Sequence, residues 1–372
     1  MKLAALKEDN ENRSPLTIKT VEKFINLGFA VLIEKDIGKK INISNEEFEN
    51  AKAKVISNKK DLLKDADIII KVNAPSIEDI SLMKKNSLFI SFIDTFFEKD
   101  ILNKFLKENV NAISLQLLPR STFAQKMDAL SSQSSLAGYA SIILASYHYI
   151  KILPMMTTPA GTISPAKVFI VGAGVAGLQA VATAKRLGAK VEVYDTRKVT
   201  EEQVRSLGAK FFKIEMEDTQ TKEGYAKELT KEELQKQRNA LKKAISSSDI
   251  VITTAQVFGK KAPLIVTEDI MKEMKKGSII IDLAISSGGN VEFSKKDEII
   301  DMYGVKIIAP SNILNDVAFD ASLMLSSNFY NLAEYLFDKE KKELKMNLND
   351  EILKSSLISF EGKIISPFLK KE

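Results

Sequence analysis

The sequence predicts an α/β protein made of two Rossmann-like, doubly wound parallel-sheet domains with a cleft between them. Three observations carry this expectation. Short β-branched runs alternate with amphipathic segments from one end of the chain to the other. At 372 residues the chain is too long for one ordinary domain and suits two. A glycine-rich turn, Gly172–Gly177, lies near mid-chain between a β-branched run and an alanine-rich segment.

In the first half, Leu3–Leu6, Ala30–Glu34, Ile68–Val72, Leu88–Phe92 and Ala112–Leu117 read as strands. Pro15–Leu27, Asn45–Val55, Ile77–Lys84 and Lys99–Glu108 carry helical periodicity between them. Ser14-Pro15 reads as an N-cap followed by a first-turn proline, and Gly28 as a C-terminal stop. A long helix is expected from about Met127 to Ile152, ended by Leu153-Pro154, with Thr157–Pro165 a linker by composition. In the second half the expected strands are Lys167–Val171, Lys190–Tyr194, Phe211–Ile214, Asp249–Thr253, Ser278–Asp282 and Val305–Ile308. The expected helices are Val175–Leu187, Glu201–Leu207, Glu232–Ser246, Glu268–Lys275 and about Asp320–Phe337, the last long enough to return to the first domain. The polar stretch Glu215–Thr230 reads as a mobile loop. The expected division is therefore 1–130 with 317–372, and 131–316.

Composition narrows the function. The formal charge, 54 − 49 = +5, is small, the lysines are scattered, and basic residues do not interleave with aromatics, so nucleic acid is not an expected partner. The chain has no cysteine, which excludes disulfides, thiolate catalysis and Cys-ligated metals. One histidine, His148, rules out a multi-His metal site, and no metal is expected. The N-terminus runs straight into charged residues rather than a signal peptide, and the most apolar stretch, Ser141–Met156, is broken by His148 and Lys151. The expectation is a soluble cytoplasmic protein.

The segment VFIVGAGVAGLQAVATAKRLGAKVEVYD places G-x-G-x-x-G between a β-branched strand and an alanine-rich helix, with a second strand ending in Asp195. Asp195 lies 18 residues after Gly177, close to the spacing of about 20 typical of dinucleotide-binding turns. Each position has a task. Gly172 allows the tight turn, Gly174 lets backbone approach a pyrophosphate, and Gly177 lets helix and strand pack closely. Gly172, Gly174, Val175, Ala176 and Gly177 would then set a pyrophosphate against free helix N–H groups. A carboxylate at Asp195 suits the two adenosine ribose hydroxyls and favours NAD(H) over NADP(H), a preference that nearby Arg197 softens.

A dehydrogenase acting on an alcohol or amine must also move a proton, usually through a His or Lys near the nicotinamide. His148 reads as a partly buried helix residue. Lys71, at the end of IIIKV, is the better candidate for a polar role, against a lysine head that only snorkels to the strand end. Hydride transfer between two nicotinamides moves no proton at the reacting atoms, so binding, orientation and exclusion of water suffice. The stretch LLPRSTFAQKMDALSSQSSLAGY (117–139), rich in hydrogen-bonding groups but without histidine or cysteine, suits that task.

PRSTFAQKMDALSSQS, GAGVAGLQAVATAKRLGAKVEVYDTR, EGYAKEL, DIVITTA and GSIIIDLAISSGGN resemble the NAD(H)-binding component (domain I, alpha subunit) of the proton-translocating, Si-specific/Re-specific nicotinamide nucleotide transhydrogenases. The resemblance runs from residue 1 to about 369. It implies a homodimer with NAD(H) in the interdomain cleft. Arg120, Gln125, Asp128, Ser131 and Ser132 would hold the nicotinamide end, and Asp195, Thr196 and Arg197 the adenosine ribose. Tyr225 would sit on a loop closing over the nucleotide, while Gly224, Gln237 and Gln256 match further contact positions. It implies hydride transfer to NADP+ on a beta subunit whose domain III binds NADP(H), coupled to proton movement through membrane subunits, one of them a small alpha-2 chain. The protein would be the split form of the alpha subunit, peripheral on the cytoplasmic face of the inner membrane. The chain departs from the family at Phe123, where a basic residue is common, and at QVFGKKAP (256–263).

Two other readings remain open at this point. NENRSPLT (Arg13) and IIKVNAP (Lys71) resemble pyruvate-binding segments of the alanine dehydrogenases, but the histidine that family uses would fall in LFISFID (88–94), which has none. A non-catalytic NAD(H) sensor would use the polar loop for binding alone.

Overall fold

A computed structural model describes residues 1–214 and 231–369. The chain divides into two compact units, Met1–Gln133 with Leu314–Glu372, and Ser134–Ile313. In chain order the strands of the first sheet are β1 (Lys2–Ala5), β2 (Ala30–Glu34), β3 (Lys54–Ile56), β4 (Ile68–Ile70), β5 (Leu88–Ser91) and β6 (Asn111–Ser114). A short hairpin follows, β7 (Met156–Thr158) and β8 (Gly161–Ile163). The second sheet uses β9 (Lys167–Val171), β10 (Lys190–Tyr194), β11 (Lys210–Phe211), β12 (Ile250–Thr253), β13 (Ile279–Asp282), β14 (Ile299–Met302) and β15 (Val305–Ile308). A second hairpin, β16 (Phe337–Asp338) and β17 (Glu343–Leu344), precedes β18 (Leu357–Ser359), which completes the first sheet.

Among the described residues the first sheet has the order β18-β6-β5-β4-β1-β2-β3, and the second β11-β10-β9-β12-β13-β15-β14. Both are parallel except at one edge each: β18 runs antiparallel to β6, and β14 to β15. The predicted two-domain parallel α/β class is therefore correct. The doubly wound order fixes where ligands can go. In each sheet the chain changes direction beside its first strand, between β1 and β4 and between β9 and β12, and the strand ends at such a switch point flank a crevice.

The helices are α1 (Ile18–Leu27), α2 (Asn45–Asn50), α3 (Lys59–Leu63), α4 (Ile77–Leu82), α5 (Lys99–Glu108), α6 (Ala129–His148), α7 (Val175–Arg186), α8 (Thr200–Ser206), α9 (Lys231–Ser246), α10 (Glu268–Met271), α11 (Ala318–Leu336) and α12 (Glu351–Ser356). In the first unit α11 packs its apolar side, Leu325, Phe329, Leu332 and Leu336, into one core with Val21 and Phe24 of α1 and the β-strand side chains. The second unit has a core on each face of its sheet. Ala180, Val181 and Ala184 of α7 lie in one, and Leu241 and Ile245 of α9 in the other. Alternate strand residues divide between these cores, as the period of two requires: Val168 and Ile170 on one side, Phe169 and Val171 on the other.

Several element boundaries differ from the expectation, each for a local reason. The first helix starts at Ile18, not Pro15. The Ser14 hydroxyl donates to the Leu16 carbonyl (2.7 Å), and the cap is Thr17, whose N–H donates to the Thr20 hydroxyl (3.0 Å). The helix expected over Asn45–Val55 stops at Asn50. Lys52 takes a left-handed φ of 69°, and the chain re-enters the sheet as β3. Ala112–Leu117 splits into strand and a 3₁₀ turn at Leu115–Leu117. The long helix is shorter at both ends, and the Thr157–Pro165 linker carries most of the β7–β8 hairpin. Phe211–Ile214 contributes only Phe211 to β11, and the helix expected to reach Lys275 ends at Met271. The expected loop Glu215–Thr230 lies outside the described residues.

Candidate functional site

The glycine turn follows β9 at the switch point of the second sheet, and α7 begins at Val175. Two of its glycines differ sharply in surroundings. A Cβ on Gly177 would lie 1.8 Å from the Gly172 carbonyl oxygen, so helix and turn touch through bare backbone there. A Cβ on Gly174 would meet nothing within 4 Å. Open space thus lies over the start of α7, where the first-turn N–H groups have no helical acceptor and the helix dipole is positive. The space and donors suit a pyrophosphate. Behind the turn, the Thr254 hydroxyl donates to the Val171 and Gly172 carbonyls (3.1 and 3.3 Å). Gly138 of α6 lies against the backbone at Ala176, and its Cβ would come 2.1 Å from that carbonyl oxygen.

Asp195 follows β10. Its carboxylate accepts from the Ala173 N–H (2.7 Å), the Arg197 N–H (2.8 Å), and the Arg197 Nε and Nη2 (2.9 Å each). The acid therefore locks the glycine turn onto the second strand and is neutralised by its own neighbour. The hydrogen bond to Asp195 also holds the Arg197 guanidinium above its ordinary pKa. Thr196 lies between them, half-buried. The sequence placed an acid at the end of the second strand but did not show that its carboxylate already accepts four hydrogen bonds within the protein.

Gln256 is exposed in the turn after β12. Asn290 holds this turn: its amide oxygen accepts from the Ala255 N–H (3.1 Å), and its Nδ2 donates to the Ala255 and Pro263 carbonyls (2.9 and 2.7 Å). The buried Asp282 carboxylate in turn accepts from the N–H groups of Ala284 (3.0 Å) and Asn290 (2.9 Å) and the Thr253 hydroxyl (3.1 Å). Sequence reasoning did not single out Asn290, Asp282 or Gly138. A strand-terminal acid followed by GGN was the available signal for the first two. Gln237 falls on α9, its side chain outside what is described; Gly224 and Tyr225 lie outside the described residues.

In the first unit the polar stretch separates into two kinds of residue. Arg120 and Gln125 are exposed, and among the described residues the Gln125 side chain makes no hydrogen bond. Asp128 is the cap of α6, accepting from the Ser131 N–H (2.9 Å) and hydroxyl (2.5 Å). Ser132 donates to the Ala129 carbonyl (3.1 Å) and the Asn328 amide oxygen (2.8 Å). Gln133 is buried, accepting from Arg13 Nη1 (2.8 Å) and donating to the Ala321 carbonyl (3.1 Å). Exposed groups are thus carried on a capped, tied base.

Within the stretch the exposed Lys126 is the one lysine and Asp128 the one carboxylate, the latter engaged as the cap of α6. Lys71 is not merely snorkelling, since its Nζ donates to Glu8 (2.6 Å), with both side chains largely buried. Arg13 makes a two-pronged pair with Glu11 (3.0 and 2.7 Å). His148 is half-buried beside the Tyr147 ring, its pKa pushed down by burial and by Lys306. Among the described residues no cluster of three or more His, Asp or Glu could hold a metal. Nor is any helix there long and apolar enough to cross a membrane.

A chain of two parallel-sheet units, one with a dinucleotide-type glycine turn at its switch point, falls in the Rossmann-type class of nucleotide-binding α/β proteins. Its sequence narrows the class. Residues 5–137 match "Alanine dehydrogenase/PNT, N-terminal domain" and residues 141–367 match "Alanine dehydrogenase/PNT, C-terminal domain", and the chain belongs to this family. It is 42% identical over 379 aligned positions to the first part of the NAD(P) transhydrogenase subunit alpha of Rickettsia prowazekii, covering 100% of this chain and 98% of that one. The alanine dehydrogenase of Methanococcus maripaludis is 27% identical, over 96% of this chain and 92% of its own. The crystal structure of a transhydrogenase from Sinorhizobium meliloti superimposes with a TM-score of 0.86 at 35% identity, covering 99% of this chain and 100% of that one.

Proposed function

We propose that this protein is the NAD(H)-binding component of a proton-translocating transhydrogenase. It passes hydride directly from NADH to NADP+ held on a partner beta subunit. The observation that carries the reading is the near-complete match to the first part of a transhydrogenase alpha subunit. The site supports it chemically: exposed hydrogen-bonding groups on a fixed base, with no histidine or cysteine in the polar stretch and its one carboxylate, Asp128, engaged as a helix cap. The nicotinamide supplies the hydride chemistry when bound, and the chain's residues do the rest. The turn at Gly172, Gly174, Val175, Ala176 and Gly177 receives the pyrophosphate. Asp195, Thr196 and Arg197 receive the adenosine ribose, whose hydroxyls share Asp195 with Arg197. Arg120, Gln125, Asp128, Ser131 and Ser132 orient the nicotinamide end. Gln256, Gln237, Gly224 and Tyr225 complete the nucleotide contacts. In this reading the protein works as a homodimer, with a small membrane alpha-2 subunit and the beta subunit, peripheral to the membrane, and coupling to proton movement lies in those partners.

Gln125→Asn is expected to slow single-turnover hydride transfer about tenfold while NADH binding stays within about twofold. The shortened amide still bonds but misplaces the ring, and near-attack geometry is lost steeply with distance. Stopped-flow transfer and NADH titration separate the two quantities, and unchanged transfer would remove Gln125 from the mechanism.

The alanine dehydrogenase reading makes an opposite prediction that one assay decides. With no histidine in 88–94, and Lys71 and Arg13 paired to Glu8 and Glu11, the protein is expected to form no NADH from NAD+ and L-alanine. Robust alanine-dependent reduction would overturn the proposal.

A further inference from the structure

The residue carrying the nicotinamide-orienting role sits on a very short element. Gln125 lies in a single 3₁₀ turn, Ala124–Met127, whose own hydrogen bonding is too sparse to hold a side chain to a fraction of an ångström. The constraint comes from far along the chain. Asn328, Asn331 and Tyr335 recur at i, i+3 and i+7 and so form one stripe of α11. The Lys126 carbonyl, directly after Gln125, accepts from both amides: Asn328 Nδ2 at 3.0 Å and Asn331 Nδ2 at 2.8 Å. The amide oxygen of Asn328 accepts the Ser132 hydroxyl (2.8 Å), so one buried side chain joins the turn to the first turn of α6 across the Asp128 cap. At the other end of the stripe, Tyr335 packs edge-on against Phe123, ring centres 5.4 Å apart.

A loop carbonyl at the surface needs one donor, and water serves. Two side-chain amides from one helix, aimed at the single carbonyl beside Gln125, constrain its place as well as satisfying it. We propose that Asn328 and Asn331 are positioning residues for hydride transfer. They fix the backbone at Lys126 and with it the reach of the Gln125 amide. The inference rests on the reading of Gln125 given above. The clamp is neutral, so its effect is geometric and leaves the pH profile of transfer unmoved.

The test uses the full chain with an NADP+-loaded beta subunit and NADH. Asn331→Ala removes one donor at a half-buried surface position. It is expected to slow single-turnover transfer roughly five- to twentyfold, with NADH affinity within about twofold. Amide exchange at Gln125–Met127 is expected to quicken about tenfold as the turn loosens. Asn331→Gln, which keeps the donor, should recover most of the rate. Asn328→Asp keeps the size and removes the donor, and should lose more. Transfer at the wild-type rate in Asn331→Ala overturns the positioning role, even if exchange quickens. So does a fall that only tracks weaker NADH binding, or one that Asn331→Gln fails to relieve. A wild-type protein that transfers nothing to NADP+ is a different failure, because it removes the transhydrogenase reading and this inference together.

Discussion

A Gly174→Ala variant is expected to unfold at the wild-type temperature and to bind NADH roughly tenfold or more weakly. The added methyl group meets no atom of the protein within 4 Å, so folding has nothing to object to. Its cost falls wholly on whatever must approach the α7 N-terminus, and a pyrophosphate there depends on close contact with backbone N–H groups. Gly177→Ala is the informative contrast. Its Cβ would overlap the Gly172 carbonyl at 1.8 Å, forcing the turn and α7 apart, so stability and binding should fall together. Thermal melts and NADH titrations of both variants check this. Tight NADH binding by Gly174→Ala would mean that the open space is not where the nucleotide lies.

Glu11→Ala is expected to destabilise the first unit by about 3–5 kcal/mol, the range for breaking a buried ion pair from one side. Glu11 and Arg13 are 2% and 7% exposed, and the pair is two-pronged, so the stranded guanidinium has no water to fall back on. Arg13 also donates to Gln133, which is bonded in turn to Ala321 of α11, so the loss should spread to the base of the polar loop. A melting midpoint lowered by on the order of 10 °C follows for a unit of this size. Truncating an exposed pair such as Lys64–Asp61 should move the midpoint hardly at all. A Glu11→Ala protein as stable as wild type would show that this pair contributes nothing net.

The central strands were legible because they are buried on both faces and must be continuous apolar runs, as Ile68–Ile70 and Ile250–Thr253 are. Three of the four edge strands of the two large sheets among the described residues were not, and the fourth, β11, was met only at Phe211. β3, β14 and β18 are three or four residues long, and pairing on one side only places little demand on sequence. The glycine turn was legible because its spacing is set by local backbone geometry. The engagement of Asp195 by Arg197 was not, since a two-residue offset in a loop does not say which way a guanidinium turns. The polar stretch was recognisable as a cluster of donors and acceptors. Its division into exposed Arg120 and Gln125 and tied Ser132 and Gln133 depends on Asn328 and Ala321, some two hundred residues away.

The most direct test of direct transfer follows the hydrogen itself. NADH carrying deuterium at the transferable C4 position is mixed with this protein and an NADP+-loaded beta subunit in ordinary water, and the NADPH formed is examined by mass spectrometry. A site that orients two nicotinamides and moves no proton at the reacting atoms predicts that the deuterium arrives at C4 of NADPH undiluted. NADPH carrying solvent hydrogen instead, or no NADPH at all, would contradict the account.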